Sequence, residues 1–286
     1  MAIEKVSVVG TGLMGLGIGQ ALAQQGITVN IKGRTVETIE RNLSRNRKNL
    51  QGLVDRERMS TDEMNGILSR MKTTTVWEDI ADADLVIEVA AEDMAIKKEL
   101  FAHLDELCSP HTILATGTTI LSPTEIGSAA KRGDKTIGMH WFNPAPVMKL
   151  VEVTTGLETS EETVEAVMEF AKRMGKTPVR VNEAPGGIVS RILNATRNVA
   201  IDILAEGVAS AEDIDTAMKL GANWPMGPLE LTDLTGVDLQ LTNSENLVRE
   251  LGSPKYTANP LLRKMVRAGH LGRKTGKGFY DYTKKG

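Results

Sequence analysis

Through roughly the first two thirds of the chain, short apolar runs alternate with longer segments whose apolar residues recur every three to four positions. The first pattern reads as buried strand and the second as amphipathic helix. Val6-Ser7-Val8-Val9 opens the series and runs into a glycine-rich turn, a helix to Gln25 that Gly26 stops, and a second strand over residues 27–32. Helical segments continue to Met71. Residues 84–89 (DLVIEV) predict another buried strand, 91–107 a helix, and 113–116 a strand that ends in the turn Gly117-Thr118-Thr119-Ile120. Strands over 135–139 and 149–153 flank Asn143-Pro144 and Ala145-Pro146, two steps that reverse the chain. An amphipathic helix over 161–174 and a short strand over 178–181 follow. The stretch Asn182-Glu183-Ala184-Pro185-Gly186-Gly187 reads as a linker, and beyond it strand signals vanish. Helices are expected over 188–205, 212–220 and 229–234, with Pro225, Gly227 and Pro228 forming a corner. The tail over 271–280 is too rich in glycine for helix and is expected to pack as an ordered loop. The pattern therefore predicts an α/β domain over 1–184 and an all-α C-terminal domain over 185–286.

At 286 residues and 41% hydrophobic, the chain can bury the core that two such domains need. A formal net charge of -3 and a pI near 5.9 argue against nucleic-acid or membrane-surface partners. One cysteine, Cys108, excludes an internal disulfide, and four scattered histidines without a Cys/His cluster make a metal site an unattractive reading. Residues 1–5 lead straight into a strand and no long apolar run follows, so neither signal peptide nor transmembrane helix is expected, and the cytoplasm fits best.

The turn after the first strand is Gly10-Thr11-Gly12-Leu13-Met14-Gly15. A lone GxGxxG is weak evidence, but strand, glycines, helix and second strand in this order form the dinucleotide-binding fingerprint of a Rossmann-type domain. The glycines serve a tight turn, close approach of backbone to a pyrophosphate, and packing of helix on strand; the helix N-terminus faces the phosphates. The second strand normally ends in an acid that binds both ribose hydroxyls of NAD. Here the residues are Gly33-Arg34-Thr35. A glycine makes room for a 2′-phosphate and Arg34 with Thr35 can donate to it, so NADP(H) is expected to be preferred, with NAD(H) possible. From Lys32 to Arg58 eight basic residues stand against four acids. Such a patch suits a cofactor phosphate or a phosphorylated carrier arm, and equally the solvated face of a helix.

His140 and Glu152 are the candidate chemistry. Glu152 shares one side of its strand with apolar Met148 and Leu150 by period-2 alternation, and a carboxylate buried without a partner is costly. The chain reversal lets His140 meet it across adjacent strands. A carboxylate on one ring nitrogen fixes the tautomer and leaves the other nitrogen free to exchange a proton with a substrate hydroxyl or carbonyl. A satisfied core histidine in a structural ion pair fits the same spacing. Thr119 is a further candidate because it follows a strand at the carboxyl edge of the sheet, where ligands bind, although a threonine there is as often a helix cap.

Four stretches, the GxGxxG at Gly10 to Gly15, IGMHWFNPAPVMKLVEV, LAEGVASAEDIDTAMKLGANWPMGPLEL and GRKTGKGFYDY, together resemble the short-chain 3-hydroxyacyl-CoA dehydrogenases, above all the 3-hydroxybutyryl-CoA branch, over nearly the whole chain. The resemblance implies that His140 is the acid/base, that Glu152 orients it, and that a hydride passes between the substrate's third carbon and the nicotinamide. It places Glu92 and Lys97 on the nicotinamide-ribose side and Asn143 among the cofactor-binding residues. A small helical domain attached to a nucleotide domain often buries its apolar faces against a second copy, so a homodimer is expected, with the helical domain serving dimerisation and substrate. The departures cluster. Where the family reads Asn-Thr-Ser-Ser this chain has Gly117-Thr118-Thr119-Ile120, so the substrate-contacting serine becomes Thr119. Gly187 and Ser190 replace a bulky aromatic and a carbonyl-facing amide, which is expected to enlarge the pocket. Gly33 replaces the family aspartate, and Gly52 and Asp55 thin a lysine patch suited to CoA phosphates. Three readings follow: reduction of a 3-oxoacyl-CoA, reduction of a small ketone, 3-oxo ester or imine without CoA, or a silent nucleotide-binding protein, against which intact His140 and Glu152 argue. Either a natural lineage with another substrate or a redesigned pocket accounts for the clustering.

Overall fold

The computed structural model of the chain describes residues 2–283; Met1 and residues 284–286, the outer limits of the two expected domains, lie outside them. The chain divides into two compact units, Met1–Ala184 and Pro185–Gly286, and the division falls inside the linker-like stretch.

The first unit runs β1 (Val6–Val9), α1 (Leu13–Gln24), β2 (Val29–Lys32), α2 (Val36–Val54), α3 (Thr61–Arg70), β3 (Met71–Thr74), β4 (Leu85–Glu88), α4 (Met94–Leu107), β5 (Ile113–Thr116), α5 (Pro123–Gly127), β6 (Thr136–Trp141), β7 (Leu150–Thr155), α6 (Glu161–Arg173) and β8 (Thr177–Asn182). The strands form one sheet in the order β3-β2-β1-β4-β5-β6-β7-β8. All neighbours are parallel except β6 and β7. Strands β1, β4 and β5 are buried throughout, because helices cover both faces. Alternation sorts their side chains: Val6, Val8, Leu85, Ile87, Ile113 and Ala115 pack with α1 and α6, while Val9, Val86 and Leu114 pack with Phe101 and Leu104 of α4. Glu88, next after Ile87, is thereby directed to the α4 face. The chain leaves β2 and β3 on one side of β1 and resumes with β4 on the other, so the strand order reverses between β1 and β4, the place where open α/β sheets bind ligands.

Three local readings change. Helical pattern continues to Met71, but Met71–Thr74 forms β3, whose backbone pairs in parallel register with β2. Helix α4 starts three residues later than its apolar pattern, because the Asp93 side chain accepts from Ile96 N (3.0 Å) and caps it, which leaves Glu92 in the preceding loop. Strand β6 extends through Trp141, so His140 lies within the strand instead of after it.

The second unit is helical: α7 (Val189–Ala205), α8 (Ala211–Gly221), α9 (Pro228–Thr235), α10 (Val237–Leu251) and α11 (Pro260–Arg267). Its core gathers Ile201, Leu229, Val237 and Leu262, all fully buried. The glycine-rich tail carries a single short helical turn, Arg273–Thr275, and two buried aspartates hold it. Asp233 accepts from Phe279 N and Tyr280 N, both at 3.0 Å, and Asp215 accepts from Tyr280 OH at 2.7 Å. Among the described residues no helix is long and apolar enough to cross a membrane.

Candidate active site

At the carboxyl end of β1, Gly10 has φ +124°, and a Cβ there would come within 2.7 Å of Val89 O. A side chain on Gly15 would overlap Gly10 O, so the turn and the start of α1 can close only with glycine at both positions. Gly12 is different: a Cβ on it would meet nothing within 4 Å. Its surface is open to the approach of another molecule's backbone. Helix α1 has Gly12 at its N-cap, no side-chain cap and no acid in its first turn, with Leu13 exposed and Met14 half-buried beside it. Unopposed backbone donors at the end of a helix, reached over a glycine with empty space above it, fit the pyrophosphate of a dinucleotide.

The end of β2 departs from its expected reading. Gly33 is buried, its N–H bonded to Thr74 O at 2.9 Å, and a Cβ on it would overlap Ile39 Cγ1 and approach Thr11 Cγ2 to 2.9 Å. The room left by the missing side chain is taken by Ile39 and Thr11. Thr35 is the N-cap of α2, accepting from Thr38 N (3.3 Å) and donating to Thr38 Oγ1 (3.1 Å), so its hydroxyl is committed locally. Arg34 is exposed. Gly117 makes no opening either, because Val89 Cγ1 fills the place of its Cβ.

Antiparallel register sets His140 opposite Glu152 on β6 and β7. His140 Nδ1 lies 2.9 Å from Glu152 Oε2, with side-chain exposures of 12% and 2%. The carboxylate accepts a hydrogen bond from Nδ1–H, which leaves Nε2 as the acceptor of the neutral ring. Nε2 stands 3.4 Å from Thr119 Oγ1 in the loop after β5, and Phe142 leans on the imidazole with ring centroids 4.4 Å apart. That loop is held by Glu92, whose Oε1 accepts from Thr118 Oγ1 (2.6 Å), Thr119 N (2.9 Å) and Ile120 N (3.3 Å). His140, Glu152, Thr119 and Glu92 are thus one continuous constellation. Asn143 is exposed in the loop between β6 and β7, and Ser190 is a half-buried residue of the first turn of α7 in the helical unit.

Lys97 is not free to meet a ligand as the resemblance implies. It is 1% exposed, and its Nζ donates to both oxygens of Glu88, at 2.8 and 3.1 Å. Glu88, fully buried, also accepts from Ala90 N (2.7 Å) and Thr116 Oγ1 (3.1 Å). Sequence reasoning passed over Glu88 as a member of DLVIEV; the available signal was an acid within an apolar strand and a lysine nine residues on. Away from these groups, a groove of about 600 Å³ between α2 and α3 is lined by Arg47, Lys48, Gln51, Asn65 and Ser69, together with Met64 and Leu68.

Residues 5–184 match the family described as 3-hydroxyacyl-CoA dehydrogenase, NAD binding domain, and residues 186–282 match its C-terminal domain. A 3-hydroxybutyryl-CoA dehydrogenase of Clostridioides difficile is 53% identical over 98% of this chain and 100% of its own length. The crystal structure of (S)-3-hydroxybutyryl-CoA dehydrogenase from Ralstonia eutropha superposes with a TM-score of 0.94 at 40% identity, covering 99% of this chain and 100% of that one. A more distant structure, of a diketoreductase that acts on dicarbonyl compounds, superposes with a TM-score of 0.85 at 27% identity, covering 99% and 100%.

Proposed function

This chain belongs to the 3-hydroxyacyl-CoA dehydrogenase family, nicotinamide-dependent oxidoreductases of CH–OH groups, and from that membership we propose that it interconverts 3-hydroxybutyryl-CoA and its 3-oxo form with His140 as acid/base. The observation that carries the reading is the buried Glu152 carboxylate on Nδ1 with Nε2 facing the Thr119 hydroxyl. In oxidation, Nε2 takes the hydroxyl proton of the substrate and Glu152 stabilises the resulting imidazolium; in reduction, Nε2 returns that proton to the carbonyl oxygen. Thr119 Oγ1 donates to the same oxygen and holds it over the ring. The nicotinamide, when bound, accepts or supplies the hydride. Gly12 and the first turn of α1 would hold its pyrophosphate, and Glu92 lies at the sheet edge to meet its ribose.

NADP(H) is the preferred cofactor on this reading, with NAD(H) accepted. The support is the absence of an acid at the end of β2 together with exposed Arg34 at the entrance to α2. The basic groove at Arg47 and Lys48 supports a CoA substrate, since phosphates of a carrier arm need cationic partners. Ser190 would contribute a hydroxyl to the substrate and Asn143 a contact to the cofactor, as in the family's pattern. The helical unit favours a homodimer: Ile192 and Val199, seven residues apart on α7, are both more than half exposed, an apolar stripe suited to a second copy. A second reading, reduction of ketones, 3-oxo esters or imines that carry no CoA, is favoured by the likeness to the diketoreductase and by Gly187 and Ser190, which put a glycine and a short hydroxyl at family substrate positions.

The test is His140→Gln, assayed with acetoacetyl-CoA and with ethyl acetoacetate. Turnover is expected to fall at least about 10²-fold while NADPH affinity stays within about twofold. Equal loss of both would defeat the acid/base assignment. Wild-type turnover of the free ester, with none of the thioester, would move the conclusion to the second reading.

A further inference from the structure

We infer that the buried Glu88–Lys97 pair is a positioning device that fixes Glu92, and through Glu92 the loop that sets the Thr119 hydroxyl against His140. The inference rests on the acid/base reading of His140 given above.

A buried ion pair is a poor investment in stability alone, since apolar side chains of similar volume usually serve as well. Glu88 and Lys97 occupy a place where such a replacement would be simple. The α4 face below them is lined by Val86, Leu114, Phe101 and Leu104. The charges instead stand at the carboxyl end of β4, where the site begins. Every direction of the Glu88 carboxylate is taken: two contacts from Lys97 Nζ, one from Ala90 N and one from Thr116 Oγ1. The ammonium is therefore pinned, and it presents its charge to Glu92 Oε2 at 3.8 Å.

Glu92 has two oxygens with separate employment. Oε2 faces Lys97. Oε1 collects the hydroxyl of Thr118 and the successive backbone N–H groups of Thr119 and Ile120, and Thr118 Oγ1 in turn accepts from Leu121 N at 2.9 Å. Three donors converging on one oxygen define the path of a loop that has no secondary structure of its own. Glu92 is itself 46% exposed in a loop, and a side chain so placed has many rotamers open to it. Attraction to the pinned ammonium selects the one that gathers the loop. A shift of about 1 Å at Thr119 would take its hydroxyl out of range of Nε2, already at 3.4 Å.

Two measurements test this. In the cofactor-free protein, amide hydrogen exchange at Thr119 and Ile120 is expected to accelerate about tenfold or more in Glu88→Gln, in Glu92→Ala and in Glu92→Gln, the last because its carbonyl still accepts but no longer answers the Lys97 ammonium. In the active enzyme, Glu88→Gln is expected to lower kcat about tenfold with NADPH affinity changed less than about threefold. Combined with Thr119→Ala it should add little, because both act at one hydroxyl. Should Glu88→Gln fail to fold, Glu88→Gln combined with Lys97→Met, which leaves no unpaired charge buried, carries the same cycle. Unchanged exchange at both amides, or a loss that is additive with Thr119→Ala, would overturn the inference. Faster exchange in a protein whose His140→Gln variant remains active would sink the acid/base reading while leaving the loop device in place.

Discussion

Asp, the residue that the family sets at position 33, would have to share space here with the Ile39 side chain and with Thr11. Overpacking of this kind costs roughly 1–3 kcal/mol where neighbours cannot give way, and Ile39 is 6% exposed. Gly33→Asp with Arg34→Ile is therefore expected to destabilise the protein and move cofactor preference little. Adding Ile39→Ala should restore stability and shift the kcat/KM ratio toward NADH by about tenfold or more; a ratio that stays put in the triple variant would remove Gly33-Arg34-Thr35 from cofactor selection. What was legible at this scale follows from period and punctuation. Glu152 on the apolar side of a strand and two Pro steps after His140 suffice to bring them together, and the distance of 2.9 Å agrees with that reading. Gly33 could not be read the same way, because its neighbour Ile39 comes from the next helix and period says nothing about which side chain fills a gap. Glu88 and Lys97 were hidden for a related reason. One reads as strand and the other as helix, and their pairing exists only once α4 lies on the sheet.

Helix α4 shows how an element is finished from a distance. The last carbonyls of a helix lack partners within it, and Arg132, far along the chain, meets that of Asp105 together with two just past the helix end. Nη2 donates to Asp105 O (2.6 Å) and Cys108 O (3.2 Å), Nη1 to Ser109 O (2.6 Å), and Nε to the Asp105 carboxylate (2.6 Å). Burial pushes the Asp105 carboxyl toward its neutral form, but the Lys131 N–H and the Arg132 charge together outweigh it and hold the group below its ordinary value. A carboxyl depressed in the folded state adds stability above its unfolded pKa and loses it as pH falls through the folded one. Asp105→Asn is thus expected to lower the urea midpoint at pH 7, with the gap to wild type closing as pH drops below about 4. A gap that persists unchanged at pH 2.5 would show that the charge is not what matters. Arg132→Met should cost roughly 3 kcal/mol at pH 7. None of this is written in local pattern. Nor is β3, where Met71-Lys72-Thr73-Thr74 carries a single apolar residue and is a strand only because β2 offers it a ladder. The buried strands β1 and β5 were the opposite case, their bounds matching the apolar runs because both faces are covered.

Each unit has its own core, and fold class followed from where strand signals stop: every strand of the sheet lies before residue 184. Cys108 offers a gauge of how firmly the first unit is closed. Its thiol is buried against the α4 face and burial pushes it up to about 11, with Arg132 pulling weakly the other way. At pH 8 iodoacetamide is expected to label the native protein about 10²-fold more slowly than the urea-unfolded chain, whereas comparable rates would mean that the unit opens readily. The start of α1 has a wider meaning. A helix whose N-cap is a bare glycine, with no acid in its first turn, lacks the closing piece that α2, α3 and α6 carry in their own Thr35, Ser60 and Ser160. On the proposed reading the missing piece is a diphosphate made elsewhere. A ligand at a hundredfold excess over its Kd adds about 2.7 kcal/mol to the folded state. The nucleotide pool of a cell would then set how long this protein survives as well as how fast it works, and copies left unloaded would be the first to be cleared.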